Sequence, residues 1–386
     1  MTASPMVVVG GGIVGSAIAR QLQRNGTRTI LVERDVEPQG ASYFSFASLS
    51  AFADPNADRY ALKCLGMSDW RRWSREISGD IGLRWDGELR WAEGEASAVW
   101  LRQMIEVATH RGYSVQELSE REIVERLPAS RPSNVRAASF APDDGQVDAA
   151  VAVARLREDF MAAGGSLLVG RATLRFDESD LYVRVASDEL RADKVVLAMG
   201  AETHGFLDQL GWSVPVEARP GMLVATEPMD SVLRGTVYVY PTQGPAVHLR
   251  QTPDGRVLVG EWSQEYRATE VTEAHSRELL DQAGAAFPSL GRARIQQIMG
   301  EPRPIPRDGM PIVGSLPGIK SLYVAATHSG VTLAPVIARL AAQELVDGQP
   351  AVQLQGCRPA RFDRRRPDVA QDVESAFEVP SEIFLG

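Results

Sequence analysis

Short β-branched runs and helically spaced apolar residues alternate from the start of the chain. Met6-Val7-Val8-Val9 is an unbroken apolar run halted by Gly10-Gly11-Gly12, the pattern of a short buried strand. Ile13, Ala17, Ile18 and Leu22 then recur at helical spacing, and Asn25-Gly26 ends that helix. Thr29-Ile-Leu-Val-Glu33 is a second strand. Strand, helix and strand in succession predict two parallel strands with a right-handed crossover.

Asp58 to Ile77 is helical in pattern, with Leu62, Leu65, Trp70 and Trp73 on it. Residues 80–140 predict a short Trp-containing strand, a polar helix near 96–111 and a charged helix over Glu117–Arg126, before Pro128-Ala-Ser-Arg-Pro132 breaks the chain. Gln146–Ala163 predicts a long helix with Val147, Val151, Val153, Leu156 and Phe160 on its apolar side. From residue 166 the period shifts to two. Ser166–Val169, Leu174–Phe176, Leu181–Val185 and Lys194–Ala198 predict strands. Met222–Thr226, Thr236–Tyr240, Ala246–Arg250 and Arg256–Gly260 predict an antiparallel sheet, with Pro253-Asp-Gly255 as a hairpin turn. A helix is expected over Val271–Phe287. Residues 300–318 hold five prolines and four glycines and predict irregular chain. A strand over Ser321–Ala326, a loop over Thr327–Gly330 and a helix over Val331–Val346 follow. The polar end, with Arg361-Phe-Asp-Arg-Arg-Arg366, predicts a surface tail over 351–386.

This order predicts an α/β protein. A Rossmann-type nucleotide domain is expected from 1–80, 141–215 and 300–350. An antiparallel-sheet α+β substrate domain is expected from 81–140 and 216–299, inserted into it.

Composition narrows the partners. Across 386 residues, 41 basic side chains face 50 acidic ones, for a net charge of −9. That sign opposes nucleic acid and anionic membranes, so neither is expected as a partner. The two cysteines, Cys64 and Cys357, form no CxxC, so neither a zinc site nor a disulfide scaffold is expected. A reducing, cytoplasmic setting follows. The N-terminal apolar run is too short for a signal peptide, and no stretch reaches membrane-spanning length.

Gly10-Gly-Gly12-Ile-Val-Gly15 matches GxGxxG between a strand and a helix. The first glycine permits the tight turn, the second admits a pyrophosphate, and the third lets helix pack on strand. The helix N-terminus then offers N–H groups to the phosphates. Glu33, at the end of the next strand, is placed for the ribose hydroxyls and disfavours a 2′-phosphate. These residues leave FAD and NAD both open.

Later segments separate the two. Gly40-Ala-Ser42, Ala192-Asp-Lys-Val-Val-Leu-Ala-Met-Gly-Ala201, Arg303-Pro-Ile-Pro-Arg-Asp-Gly309-Met-Pro-Ile-Val-Gly314 and Thr327-His-Ser-Gly330-Val-Thr-Leu-Ala-Pro335 stand in the order of FAD contacts in one superfamily. The chain resembles the FAD-dependent amine and amino-acid oxidoreductases of the D-amino-acid oxidase, glycine oxidase and sarcosine oxidase type over most of residues 5–350. The resemblance implies FAD held by Gly10, Gly12, Ile13, Val14, Gly15, Glu33, Arg34, Ser42, Ala47, Ser48, Ala172, Gly200, Ser329, Gly330, Val331 and Thr332. It implies hydride transfer from a C–H beside an amine to flavin N5, then imine hydrolysis. The N–H groups at Gly330 and Val331 would face the flavin oxygen that gains charge on reduction.

For the substrate, the resemblance points to Arg303 as the carboxylate clamp and to Tyr238 on the antiparallel sheet. Arginine suits that task because its guanidinium binds carboxylates in bidentate fashion. A structural arginine and a sheet-packing tyrosine are the plainer readings of both. His248 and Arg250 share a strand face, as pocket lining or as a surface ladder. His328 lies beside the flavin loop, as a catalytic group or as a supporting hydrogen bond. The sarcosine oxidase cysteine that attaches flavin is missing from Ile298-Met-Gly-Glu-Pro302, and Tyr43 and Phe44 stand where other members carry an attaching histidine. FAD is therefore expected to be non-covalent. Thr332 replaces the last-loop lysine, and Tyr43-Phe-Ser-Phe-Ala-Ser48 lacks the carboxylate-binding arginine of that group, so an N-methylglycine substrate is disfavoured. The lysine that promotes oxygen reaction also has no counterpart, which leaves O2 and another electron acceptor both open. Oxidation of a 2-hydroxy acid, and an FAD-binding subunit of a heteromeric amine dehydrogenase, are the alternative readings. A homo- or hetero-oligomer fits either.

Overall fold

The computed structural model describes residues 4–35, 39–177, 180–261 and 272–362. Its first sheet has six strands in the order Ile312–Leu316, Ile319–Ala326, Lys194–Leu197, Met6–Val9, Thr29–Glu33, Ser166–Val169. The last five run parallel, and the hairpin partner Ile312–Leu316 is antiparallel. Strand periodicity sorts its side chains between two layers. Val8, Leu31, Val196 and Tyr323 face the helices Ile13–Arg24, Ala57–Glu76, Ala149–Ala162 and Gly330–Asp347. Val7, Val9, Ile30, Val32, Val195 and Leu197 face a three-stranded antiparallel sheet, Ala172–Asp177, Asp180–Val185 and Asp188–Ala192. A parallel sheet covered on both faces explains why its central strands read as continuous apolar runs.

The second sheet has eight strands, in the order Ile295–Met299, Leu223–Thr226, Val257–Glu261, Val247–Gln251, Thr236–Tyr240, Glu88–Ala92, Ala137–Ala141, Gln116–Glu117. It is mixed rather than antiparallel throughout, because Thr236–Tyr240 pairs with Glu88–Ala92 in parallel. Those two strands are far apart in sequence, so no hairpin constrains their direction. Val237, Val239, Leu249 and Val259 pack under the helix Glu273–Ala286. Tyr238 and Tyr240 point to the opposite face, against the helix Glu95–His110.

Three further expectations are corrected. Residues 300–318 are not irregular, because Pro302–Pro306 and Ile312–Leu316 are strands. Prolines at alternate positions leave Arg303 and Ile305 to supply the N–H groups, and Pro302–Pro306 pairs with Val216–Pro220 in a two-stranded sheet made of edges. The helix expected from Gln146 begins at Ala149; Gly145–Val147 is a strand, and the Asp148 carboxylate caps the helix by accepting from Ala150 and Val151 N–H. Residues 351–362 are not a surface tail. Leu354 and Cys357 are fully buried, and Arg361 pairs with Asp308 at 2.6 Å. The rest of the expected tail, with its further arginines, and Val271 of the expected helix lie outside the described residues. Smaller differences are the charged helix, which starts at Glu120 behind a Ser119/Glu122 capping box, and the unexpected strand Asp188–Ala192.

Candidate active site

One cavity of about 1310 Å³ runs between the two sheets. That exceeds the roughly 300–1,000 Å³ of a single small-molecule site, leaving room for a dinucleotide and a substrate together. Its first end is built by the glycine turn. Gly10 has φ +100°, and a Cβ there would lie 2.4 Å from the Ala198 carbonyl oxygen. A Cβ on Gly15 would lie 1.8 Å from the Gly10 oxygen. The first helix therefore sits on the sheet by backbone contact, a placement that only glycine permits. Gly15 lies behind the cavity wall, while Gly10, Gly12, Ile13 and Val14 form part of that wall.

Glu33 is fixed at the same rim. Its carboxylate accepts from Gly11 N–H at 3.0 Å and from Arg34 N–H at 2.7 Å. Arg157 holds it from the far side at 3.0 Å and also donates to the Gly11 oxygen. Arg157 was not singled out from the sequence. The signal was present, because it shares the buried stripe Val153, Leu156, Phe160 of its helix, where a cation has no place without partners. Ser42 Oγ accepts from Ile13 N–H at 3.0 Å, and the Arg34 guanidinium pairs with Asp35 and Glu202. Ala172 and Gly200 complete this end.

The start of the helix Gly330–Asp347 adjoins the glycine turn, since a Cβ on Gly330 would lie 3.3 Å from Val14 Cγ2. Ser329 stands before it at φ +55°, and Ser329, Gly330, Val331 and Thr332 line the cavity. Three contacts fix this turn. Trp70 Nε1–H donates to the Val331 oxygen at 2.8 Å, Thr332 Oγ1 donates to the Ser48 oxygen at 3.1 Å, and a Cβ on Gly66 would lie 2.2 Å from the Thr332 oxygen. Ala47 and Ser48 share the wall. The glycine turn and the late helix, more than 300 residues apart in sequence, thus face one space.

Tyr238, His248, Arg303 and His328 line the same cavity. Tyr238 stands directly across from His248 in the strand pair, and its hydroxyl donates to Ser48 Oγ at 3.3 Å. Phe46 lies edge-on to both rings, 4.1 Å from that of His248 and 6.1 Å from that of Tyr238. Arg303 donates to the Pro220 oxygen at 3.3 Å. Gly221 makes space for it, since a Cβ there would lie 2.7 Å from Arg303 Cδ. Arg250 is corrected: it is buried across from Thr236, one step further along the strand, and does not line the cavity. Neither it nor His248 belongs to a surface ladder, because both are buried. Phe46, Phe52, Trp100 and Arg90 line the cavity and were not foreseen, since long-range strand pairing decides which aromatic residues reach it.

Burial, reinforced by the Arg303 guanidinium and then by Arg90, pushes His248 down to about 3. Burial followed by Arg303, Lys63 and Arg59 does the same to His328. Both rings are neutral at ordinary pH, so neither supplies a cation for a carboxylate. The unfolded chain binds protons that these rings refuse in the native state. Their contribution to stability is thus present above pH 6.5, the ordinary value, and is lost as pH falls toward 3. His248→Asn is expected to flatten the fall in Tm between roughly pH 7 and pH 4. An unaltered slope would show that His248 is protonated in the fold.

The donor set fits FAD: a helix N-terminus with a glycine cradle for the diphosphate, a fixed carboxylate for a ribose, and a second helix N-terminus for a ring. Comparisons agree with it. The family model for FAD dependent oxidoreductase, DAO, matches residues 6–344. The chain is 26% identical over 92% of its length to 4-methylaminobutanoate oxidase (formaldehyde-forming) of Paenarthrobacter nicotinovorans, of which it spans 45%. It is 27% identical to glycine oxidase of Geobacillus kaustophilus, over 87% of this chain and 91% of that one. It is 24% identical to an opine oxidase subunit of Rhizobium meliloti, over 94% and 99%. The crystal structure of the Geobacillus glycine oxidase superposes with a TM-score of 0.83 at 25% identity, covering 93% of this chain and 98% of that one. The chain belongs to the DAO family of FAD-dependent oxidoreductases.

Proposed function

We propose that the protein oxidises the C–N bond of an amino acid or secondary amine, giving an imine that water hydrolyses. The observation that carries this reading is Arg303, a guanidinium beside two histidines held neutral, in the cavity that the two helix N-termini share. Bound FAD would supply the hydride acceptor, while the protein supplies orientation and dryness. Gly10 to Val14 and Glu33 bind the nucleotide end. Ser48 and Ser329 to Thr332 hold the ring. Arg303 clamps the substrate carboxylate while Tyr238 and Phe46 exclude water. The amine and amino-acid activities in the names of the relatives support this substrate class.

In this reading 1–80, 141–215 and 300–350 form the cofactor domain, and 81–140 with 216–299 form the substrate domain. FAD is non-covalent: Cys64 and Cys357 are free thiols outside the cavity wall. O2 or another electron acceptor would complete the turnover. A hetero-oligomer is supported by the opine oxidase relative, which is named as one subunit of its enzyme, and a cytoplasmic setting by the two free cysteines. Among the described residues no helix is long and apolar enough to cross a membrane. Anaerobic mixing of the yellow protein with amines, amino acids and matched 2-hydroxy acids tests the reading. Bleaching of the flavin by the nitrogen compounds is expected; bleaching by hydroxy acids alone would overturn it.

A further inference from the structure

Beneath the cavity lies a buried group of acids that the reading above leaves idle. Glu88 and Asp144 are 1% and 0% exposed. The Ser50 hydroxyl, in the cavity wall, touches both: 2.7 Å to Asp144 Oδ2 and 3.4 Å to Glu88 Oε1. Arg90 pairs with Glu88 at 2.7 Å, donates to Tyr240 Oη at 2.6 Å and also reaches the wall. Its guanidinium lies 3.9 Å over the Tyr238 ring, which joins the group to the proposed substrate position. On the other side Tyr113 Oη hydrogen-bonds Asp144 Oδ1 and accepts from Ala51 N–H at 3.2 Å.

Two carboxylates share one touching guanidinium among the described residues, so one negative charge is left uncompensated in a dry place. Two like charges in such a site cannot both ionise freely. Burial and then the neighbouring Glu88 raise Asp144 well above the usual carboxylate range. Tyr113, and Tyr60 and Cys64 from the helix Ala57–Glu76, face Asp144 without a cation of their own; Arg111 acts on Tyr60 and Cys64, and Lys63 acts on Cys64, but neither is among the leading causes at Asp144, where burial and Glu88 come first.

We propose that Asp144 is the proton acceptor for the substrate's ammonium group, reached from the cavity through the Ser50 hydroxyl. The proposal rests on the amine-oxidation reading. An ammonium nitrogen has no lone pair to assist hydride departure, so one N–H proton must leave first. The N–H bond breaks, its electron pair stays on nitrogen, and the proton goes to Ser50 Oγ. Ser50 passes its own proton to Asp144 Oδ2, forming an O–H bond there. No electron is transferred in this step. The step runs in the fraction of molecules in which both carboxylates are ionised, a fraction that grows with pH, and takes the pair from no proton to one, the charge that Arg90 balances. Burial makes that carboxylate a stronger proton acceptor than an exposed one, which is what taking a proton from an ammonium group requires.

The test is the pH dependence of anaerobic flavin reduction, measured as the limiting rate with a saturating amino acid, in FAD-loaded wild type, Asp144→Asn, Ser50→Ala and Ser50→Thr. In wild type the rate is expected to rise with pH through one ionisation. Asp144→Asn and Ser50→Ala should shift that limb and lower the alkaline plateau by roughly a hundredfold or more. Ser50→Thr, which keeps the hydroxyl, should restore both. A limb that is the same in all four proteins would overturn the relay while leaving amine oxidation intact. Should Asp144→Asn not fold, the Ser50 pair decides alone, because equal behaviour of alanine and threonine also overturns it. A wild-type flavin that no amine bleaches would overturn the function and the relay together.

Discussion

Gly10→Val is expected to yield colourless protein that does not regain its yellow colour with added FAD. Two costs combine at this position. Its φ of +100° is open to glycine and strained for valine. Its Cβ would also fall 2.4 Å from the Ala198 oxygen, a backbone atom of the neighbouring strand that has no rotamer by which to escape. Backbone strain and overpacking together are expected to cost about 4 kcal/mol or more, a large share of a domain's stability. Gly12→Val differs instructively. The nearest atom to its Cβ is Ser42 Oγ at 2.9 Å, a side chain that can turn away. The Gly12 variant should fold with a Tm close to wild type yet fail to retain FAD, because the added side chain occupies the approach of the diphosphate. Flavin-to-protein absorbance ratios and Tm, read together, separate the two. A fully yellow Gly12→Val would contradict the phosphate assignment.

Arg303→Ala is expected to raise the half-saturation concentration of carboxylated substrates by about thirtyfold to a thousandfold, the equivalent of roughly 2–4 kcal/mol for removing one side of a desolvated charge pair. Plain amines of similar shape should change by less than about threefold, since they present no carboxylate to lose. Arg303→Lys should recover part of the loss, because it restores charge without the planar fork. Titration of flavin reduction against substrate concentration gives each value. Equal effects on amino acids and amines would make the arginine structural, a brace between the Pro302–Pro306 strand and the Pro220 oxygen. The same variant should let His248 and His328 protonate more readily, because the guanidinium is the leading charge that opposes it in both.

How much of this was legible beforehand depends on the range of the forces involved. The strand Met6–Val9, the glycine turn and Glu33 could be read because each rests on local pattern: an apolar run, a backbone bend and a fixed offset. The segments around Arg303 and Gly330 could be read as motifs. Their meeting in one cavity was implied by the resemblance alone, for nothing local in either segment encodes it. In residues 300–318 the proline content predicts irregular chain, but alternate prolines can line one edge of a two-stranded pair, which is what Pro302–Pro306 does. Arg250 misled because strand alternation gives the face of a side chain and not its distance along the strand from a site.

By itself, then, the order of residues determined the parallel nucleotide-binding start, the acidic net charge and the chemical types available to a flavin and a carboxylate. The tertiary structure alone decided that Thr236–Tyr240 lies parallel to Glu88–Ala92 and places Tyr238 over Arg90, and that Ser50 joins Asp144 to the cavity. The physical reason is that hydrogen-bond turns and helical periods act over a few residues, whereas burial and charge pairing are settled between segments that meet only when the chain has closed on itself.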